Sequence, residues 1–410
     1  MMPGGDIYGA PYGCSMKLRQ VPSDFIVEEV SNFTPEAEGR YFVYRLEKRS
    51  LSTMEALEII ARRAGLRPKQ LSASGLKDKH AEASQLFSSE KPLSSEISDE
   101  RFSLSFAGKS SRPLTAAFID ENRFKLVLRG LNEWERDAVA ANADELARFG
   151  VPNYYDNQRF GSNMHGEGFI AKALILGRFE EALRLHLAVP HRKQSLRDKQ
   201  NRRLAKELWG QWEAIHRRMK RSPEAALIEF LVQHPASFAE CFERITPPLR
   251  IMYVAAYQSF LFNESLRRFI EALRDSGDLE VVQVQNRAGF IPMHRRLSES
   301  QMDTWRAAQF PLLGPRTDIQ ATPLAAPYIR ATLEAEGITQ EMLELKGLER
   351  TRFKGAMRAI LLMPRNLHVG NVQEDDLNPG RWKVETAFTL PRGSFATIVA
   401  RRLVLLPGRR

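Results

Sequence analysis

Apolar and polar positions change rhythm twice along the chain. Over the first 150 residues, short apolar runs alternate with helical stripes. Tyr41 to Leu46 is aromatic and β-branched enough to predict a strand, with Arg45 and Lys48 bringing it near solvent. Ser52 and Glu55 spell a capping box, Met54, Leu57 and Ala61 form an apolar stripe, and Gly65 supplies a stop, so a helix follows. Phe102 to Phe106 and Phe124 to Leu128 predict further strands. In the second, Phe124, Leu126 and Leu128 share one face, and Lys125, Val127 and Arg129 take the other. Without a regular βαβ period, this mixture predicts an α+β sheet rather than a doubly wound one.

From about residue 166 to 270 the period becomes helical. Phe169 to Leu187, broken by Gly177, and Ala255 to Ile270 both carry apolar residues at helical spacing. Residues 276 to 350 are mixed, and Pro311 to Pro315 reads as an irregular loop. Strand character returns in Val384 to Leu390 and Phe395 to Leu406. A sheet-like beginning and end around a helical middle predict one domain inserted into another. No repeat at fixed period and no low-complexity tract interrupts the pattern.

Composition narrows the class. The 410 residues include 60 Lys and Arg against 50 Asp and Glu, for a net charge of +10, which favours phosphate-rich partners. Two basic clusters, His191 to Arg203 and His216 to Arg221, read either as RNA contacts or as solvated helix faces. Cys14 and Cys241 form neither a CxxC pair nor a disulfide framework, which points to a reducing cytoplasm. The eight histidines show no spacing typical of metal ligands, so no metal is expected. Met1 to Met16 lacks the apolar core of a signal peptide, and no apolar run approaches the roughly 20 residues that cross a bilayer. A soluble intracellular protein is expected.

The chemistry concentrates in Ser74 to Gln85, which reads SGLKDKHAEASQ. It sets the single carboxylate of Asp78 between Lys77 and Lys79, three residues after Gly75. Glycine suits a tight turn because it takes backbone angles other residues avoid. Positive neighbours favour the charged form of a carboxylate, which suits an anionic nucleophile or base offered to a polyanion. A methyltransferase would need a glycine-rich loop directly after a strand. The nearest candidate, Gly166-Glu167-Gly168, follows the polar run Gly161 to His165 instead. A binding protein without catalysis would explain the charge and the aromatics, but a carboxylate at the centre of its site would weaken phosphate binding.

Six separated segments share one explanation. They are Pro22-Ser23-Asp24-Phe25 with Arg19 upstream, the Gly75 to Gln85 stretch, Glu121-Asn122-Arg123-Phe124, the NYYDNQRFG run of Asn153 to Gly161, the AYQSFLFN run of Ala256 to Asn263, and the LPRGSFAT run of Leu390 to Thr397. In this order and at these spacings the set resembles the TruD family of tRNA pseudouridine synthases, from about Arg19 to Leu403. The resemblance implies a pseudouridine-synthase-type catalytic domain with a mixed, mainly antiparallel sheet, formed by residues 1–149 and 363–410. It implies an inserted, largely helical domain at 150–362. It also implies that Asp78 is the catalytic aspartate and that Arg19 is the basic residue facing it. Phe25, Lys77, Asn122, Phe124, Arg159 and Phe395 would bind the substrate. The family's chemistry turns uridine into pseudouridine, at position 13 in the D arm of tRNA, without cofactor or metal. On family grounds a monomer is expected. One departure is visible: Ala83-Ser84-Gln85 replaces a version that usually carries threonine, and serine keeps the hydroxyl. Within this resemblance, Phe124 is expected to emerge at the sheet edge, its ring against uracil.

Overall fold

A computed structural model describes residues 15–405 except 164–165, 191–193, 220–221 and 287–288. Cys14, the stretch read for a leader up to Cys14, and parts of both basic clusters lie outside the described residues. The chain divides into two compact units. The first takes the residues up to Asn153, Val282–Gln285 and those from Leu362; the second takes Tyr154–Val281 and Asn286–Leu361.

The first unit is built on one sheet. Its strands are β1 (Phe25–Ser31), β2 (Tyr41–Lys48), β3 (Leu71–Ala73), β4 (Glu82–Ser89), β5 (Phe102–Ser110) and β6 (Ile119–Leu131), joined by the later strands Arg365–Val369, Gln373–Glu374 and Trp382–Pro391. Arg365–Val369 lies at one edge, followed by Trp382–Pro391, β6, β1, β4, β2 and β5. β1 and β4 run parallel, while the other pairings are antiparallel. This is the α+β class that the sequence pattern predicts and the mixed, mainly antiparallel sheet that the family resemblance implies.

Helix α1 (Thr53–Arg63) starts where Ser52 and Glu55 close a reciprocal capping box. It lays Ala56, Leu57, Ile60 and Ala61 onto Tyr44, Leu46, Leu71, Phe87 and Phe102 of the sheet. Helix α2 (Glu133–Phe149), capped by Asn132, packs beside β6 and the strand Trp382–Pro391. Two readings are corrected by the fold. Phe395 to Leu406 is not a strand: Ala396–Leu403 is a helix whose eight residues are all buried. Its β-branched Thr397, Ile398 and Val399 imitate a strand, while its buried Arg402 pairs with Glu145 of α2 at 2.8 Å. Pro311 lies in the short strand Gln309–Leu312, paired with Ala356–Ala359, where an edge position tolerates proline.

The second unit is mostly helical. The expected break at Gly177 is real: Ile170–Ile175 and Phe179–Leu187 flank a glycine with φ of 69°. Helix Pro247–Asp275 forms its axis, with Tyr253, Tyr257, Leu261, Phe262, Leu266 and Phe269 buried. Asn263 on this helix accepts from the Tyr155 amide at 2.9 Å and donates to its carbonyl at 2.8 Å. Two segments of the family signature, NYYDNQRFG and AYQSFLFN, therefore meet as architecture. In the basic cluster, Arg202 is largely buried, donates to the His186 carbonyl and faces Glu224 at 3.8 Å; it braces the unit.

A buried cation ties the first unit together. Arg129 of β6 reaches Asp24 at 2.7 Å and both Asp375 and Asp376 at 2.8 Å. Asp375 also accepts from the Gly130 amide and from Asn378, and Asn378 in turn bonds Lys17 and Gln20. Segments near residues 20, 130 and 375 are thus fixed to one another. Burial alone would raise the Asp375 carboxyl. The hydrogen bonds from Leu377, Gly130, Asn378 and Arg129 outweigh that and hold it below its ordinary 3.8. A depressed carboxyl contributes stability above its unfolded value, and that contribution is lost as pH falls through the folded one. Arg129→Ala leaves two buried carboxylates without their cation and is expected to cost about 3–5 kcal/mol in urea unfolding at neutral pH. The deficit should shrink below about pH 4, as the stability contributed by the depressed Asp375 carboxyl is lost from the wild type.

Candidate active site

The site is built on the loop between β3 and β4. Asp78 sits there with its side chain 34% exposed, and its Oδ2 lies 2.9 Å from Arg19 Nη2, whose side chain is almost wholly covered. Arg19 adopts φ of 61°, the left-handed region, which costs a non-glycine residue about 1–2 kcal/mol. Its neighbours fix it there. Lys17 pairs with Arg129 through main-chain bonds, Asp24 caps Val21, and the guanidinium lies 4.0 Å above the Phe25 ring. Such a contact adds about 0.5–2 kcal/mol and sets the height of the cation.

Below Phe25 the aromatics continue inward. Phe25 meets Phe124 edge-on at 6.1 Å, and Phe124 meets Phe388 at 5.8 Å. All three are buried, Phe124 at 7%. The expectation that Phe124 emerges at a sheet edge is wrong. It is the sixth residue of β6, flanked by β1 and by Trp382–Pro391, and it pairs across to Val27 and Phe388. Phe124 supports the ring that supports Arg19.

Lys77 turns away from its sequence neighbour. Its Nζ donates to Asn122 Oδ1 at 2.8 Å and lies 3.1 Å from Glu29 Oε2. Asn122 and Glu29 are register partners across β6 and β1, so one ammonium bridges both strands. A lysine can only donate, which fixes Oδ1 of Asn122 towards it and turns the amide NH2 elsewhere as a donor. Glu29 is fully buried and also accepts from Ser74. Lys79 faces Glu55 at 2.7 Å, a contact that pulls the Glu55 carboxyl down to about 2. Asp78 thus pairs with the distant Arg19, while its sequence neighbours Lys77 and Lys79 reach Glu29 and Glu55.

Gly75 is needed for a different reason from the one expected. It is not among the glycines with positive φ. A Cβ there would stand 2.8 Å from the end of the Ile119 side chain and 3.4 Å from Glu29, so a larger residue would have to displace the Ile119 side chain. Phe395 lies half-buried just before the helix Ala396–Leu403. It follows the strand end whose Leu390 pairs with Asn122. Arg159 belongs to the second unit, where its guanidinium lies 5.1 Å from the Tyr155 ring centre.

Sequence reading missed Lys48, Thr53 and Glu29, and it misjudged the first. Lys48 is 3% exposed rather than near solvent. It ends β2 and donates to the Asp78 carbonyl at 2.7 Å. The signal was the alternation of the strand, which puts Lys48 on the same face as the buried Tyr44 and Leu46. Among the described residues no cluster of metal-ligating side chains occurs and no helix is long and apolar enough to cross a membrane.

The family model described as tRNA pseudouridine synthase D (TruD) matches residues 7–403. Among curated proteins, "Probable tRNA pseudouridine synthase D 2" of Methanocaldococcus jannaschii is 32% identical over 96% of this chain and 93% of its own. The "tRNA pseudouridine synthase D" of Aquifex aeolicus is 28% identical over 95% and 98%. Among solved structures, the crystal structure of the "Putative tRNA pseudouridine synthase D (TruD)" from Methanosarcina mazei superposes with a TM-score of 0.66 at 27% identity. That match covers 97% of this chain and 94% of the other.

The aromatic support yields a prediction that separates core from pocket. Phe124→Ala should empty a packed position and lower folding stability by about 3–5 kcal/mol, read as a melting temperature lower by many degrees. An unchanged melting temperature would mean that the ring is not part of the core.

Proposed function

The chain belongs to the TruD family of tRNA pseudouridine synthases, and on that premise we propose that it isomerises uridine 13 of tRNA to pseudouridine with Asp78 as the reacting carboxylate. One observation supports the residue assignment above the others. Asp78 combines partial exposure with a clamped ion pair to a buried arginine, a poor arrangement for stability alone but a good one for presenting a carboxylate. Residues 1–149 and 363–410 act in this reading as the catalytic domain, and 150–362 as the inserted domain that helps hold the RNA. A cytoplasmic monomer completes the reading.

The reaction breaks the N1–C1′ bond, turns the detached uracil and joins its C5 to C1′. The C5 proton leaves and N1 regains one, so no electrons are gained or lost. The carboxylate acts either as nucleophile at C1′ or as base at C2′. In both roles its charge changes along the path, and Arg19 keeps its position fixed through that change. The uridine must first leave its stack, at a cost of a few kcal/mol. The Asn122 amide, oriented by Lys77, and the half-buried Phe395 ring are the groups we assign to recovering that cost. Arg159 is assigned an RNA contact from the inserted domain.

Asp78→Asn keeps the shape while removing the reacting charge. Pseudouridine at position 13 should fall below detection while tRNA affinity stays equal or rises slightly; turnover within about tenfold of wild type would overturn the assignment. A tRNA carrying cytidine at position 13 should bind with similar affinity and acquire no pseudouridine. Modification of another uridine at the wild-type rate would contradict the position.

A further inference from the structure

Three main-chain groups of the loop that carries Asp78 are held by side chains from outside it. Gln85 Nε2 donates to the Gly75 carbonyl at 2.6 Å. Thr53 Oγ1 accepts from the Lys77 amide at 2.8 Å and donates to Gln85 Oε1 at 2.7 Å. Lys48 Nζ donates to the carbonyl of Asp78 itself at 2.7 Å. Gln85 and Thr53 are neutral, and both are ordinary hydrogen-bonding choices for pinning a loop. Lys48 is not. A buried ammonium is costly, and an amide side chain or a water would satisfy one carbonyl more cheaply.

We propose that Lys48 is a positioning residue for the reaction, its buried ammonium fixing the main chain of Asp78 and setting the field in which the carboxylate reacts. The inference rests on Asp78 being the reacting group. Three charged groups face Lys48: Asp78 and Lys77 from the loop, and Glu55 from α1. Burial is the largest influence and lowers the Lys48 pKa from 10.5 to about 8, against the opposing pull of Asp78. The ammonium therefore loses its proton within the range in which enzymes are assayed. A charged donor makes a hydrogen bond roughly twice as strong as a neutral one. As pH rises through about 8, the hold on the Asp78 carbonyl weakens and the contribution of Lys48 to the positive field is lost, while that of Arg19 remains.

The test compares wild type with Lys48→Met and Lys48→Arg, reading kcat and KM from pH 6 to 10 together with melting temperature. In wild type, kcat should fall on the alkaline side with a midpoint near 8. Lys48→Met should lower kcat at pH 7 by about tenfold or more, leave KM within about threefold, and lack the alkaline limb. Lys48→Arg, charged throughout, should recover part of kcat and carry no limb below pH 10. The inference is overturned if Lys48→Met keeps kcat within about threefold of wild type, or if the limb survives in either variant. Should Lys48→Met fail to fold, the Lys48→Arg profile alone decides. Absence of wild-type turnover on tRNA would instead overturn the functional reading. Amide exchange at residues 75–79 then still tests the clamp: faster exchange in Lys48→Arg or Lys48→Met supports it, and unchanged exchange refutes it.

Discussion

The Arg129 guanidinium, buried among Asp24, Asp375 and Asp376, is the interaction on which the geometry of the first unit depends. It joins a segment near the start of the chain, the middle of the sheet and a segment near the end. A buried charge network of this kind gives little net stability compared with an apolar core, but it tolerates few alternative arrangements. Its product is placement. Asp24 anchors the short segment that carries Arg19, and Lys17 pairs with Arg129 through the main chain. Arg19 is thereby held in a backbone conformation it would not choose alone.

From that anchor the site follows as a series of contacts. Arg19 rests on Phe25, Phe25 on Phe124, and Phe124 on Phe388, so the cation has a rigid apolar floor. Above it stands the Asp78 carboxylate. The loop holding that carboxylate is fixed from its other side by Lys48, Thr53 and Gln85. Lys77 spans β1 and β6 through Glu29 and Asn122. Asp78 and Asn122, which meet substrate in the proposed reaction, are thus braced by residues that do not, and preorganisation of this kind is what positioning catalysis requires.

The sequence made the α+β class, the capping box of α1 and the aspartate loop legible, because each rests on local rules of spacing and turn chemistry. Long-range facts were hidden. Lys77 and Lys79 looked like the partners of Asp78, yet the fold carries one to Glu29 of β1 and the other to Glu55 of α1. Lys48 looked solvated because buried lysines are rare. The helix Ala396–Leu403 looked like a strand because it opens on the β-branched run Thr397, Ile398 and Val399. Phe124 looked like a pocket residue because the strand was read as starting there, whereas Ile119 begins it. Arg19 was reachable only through the family resemblance, since nothing local connects residue 19 to residue 78.

In the proposed reaction this chain detaches uracil from ribose and rejoins it through C5 using its own side chains. Release of tritium from C5-labelled tRNA, with purified protein and no added cofactor, tests it most directly. One tritium should be released for each pseudouridine formed. Binding of tRNA without tritium release, or release that requires an added cofactor, would contradict this reaction.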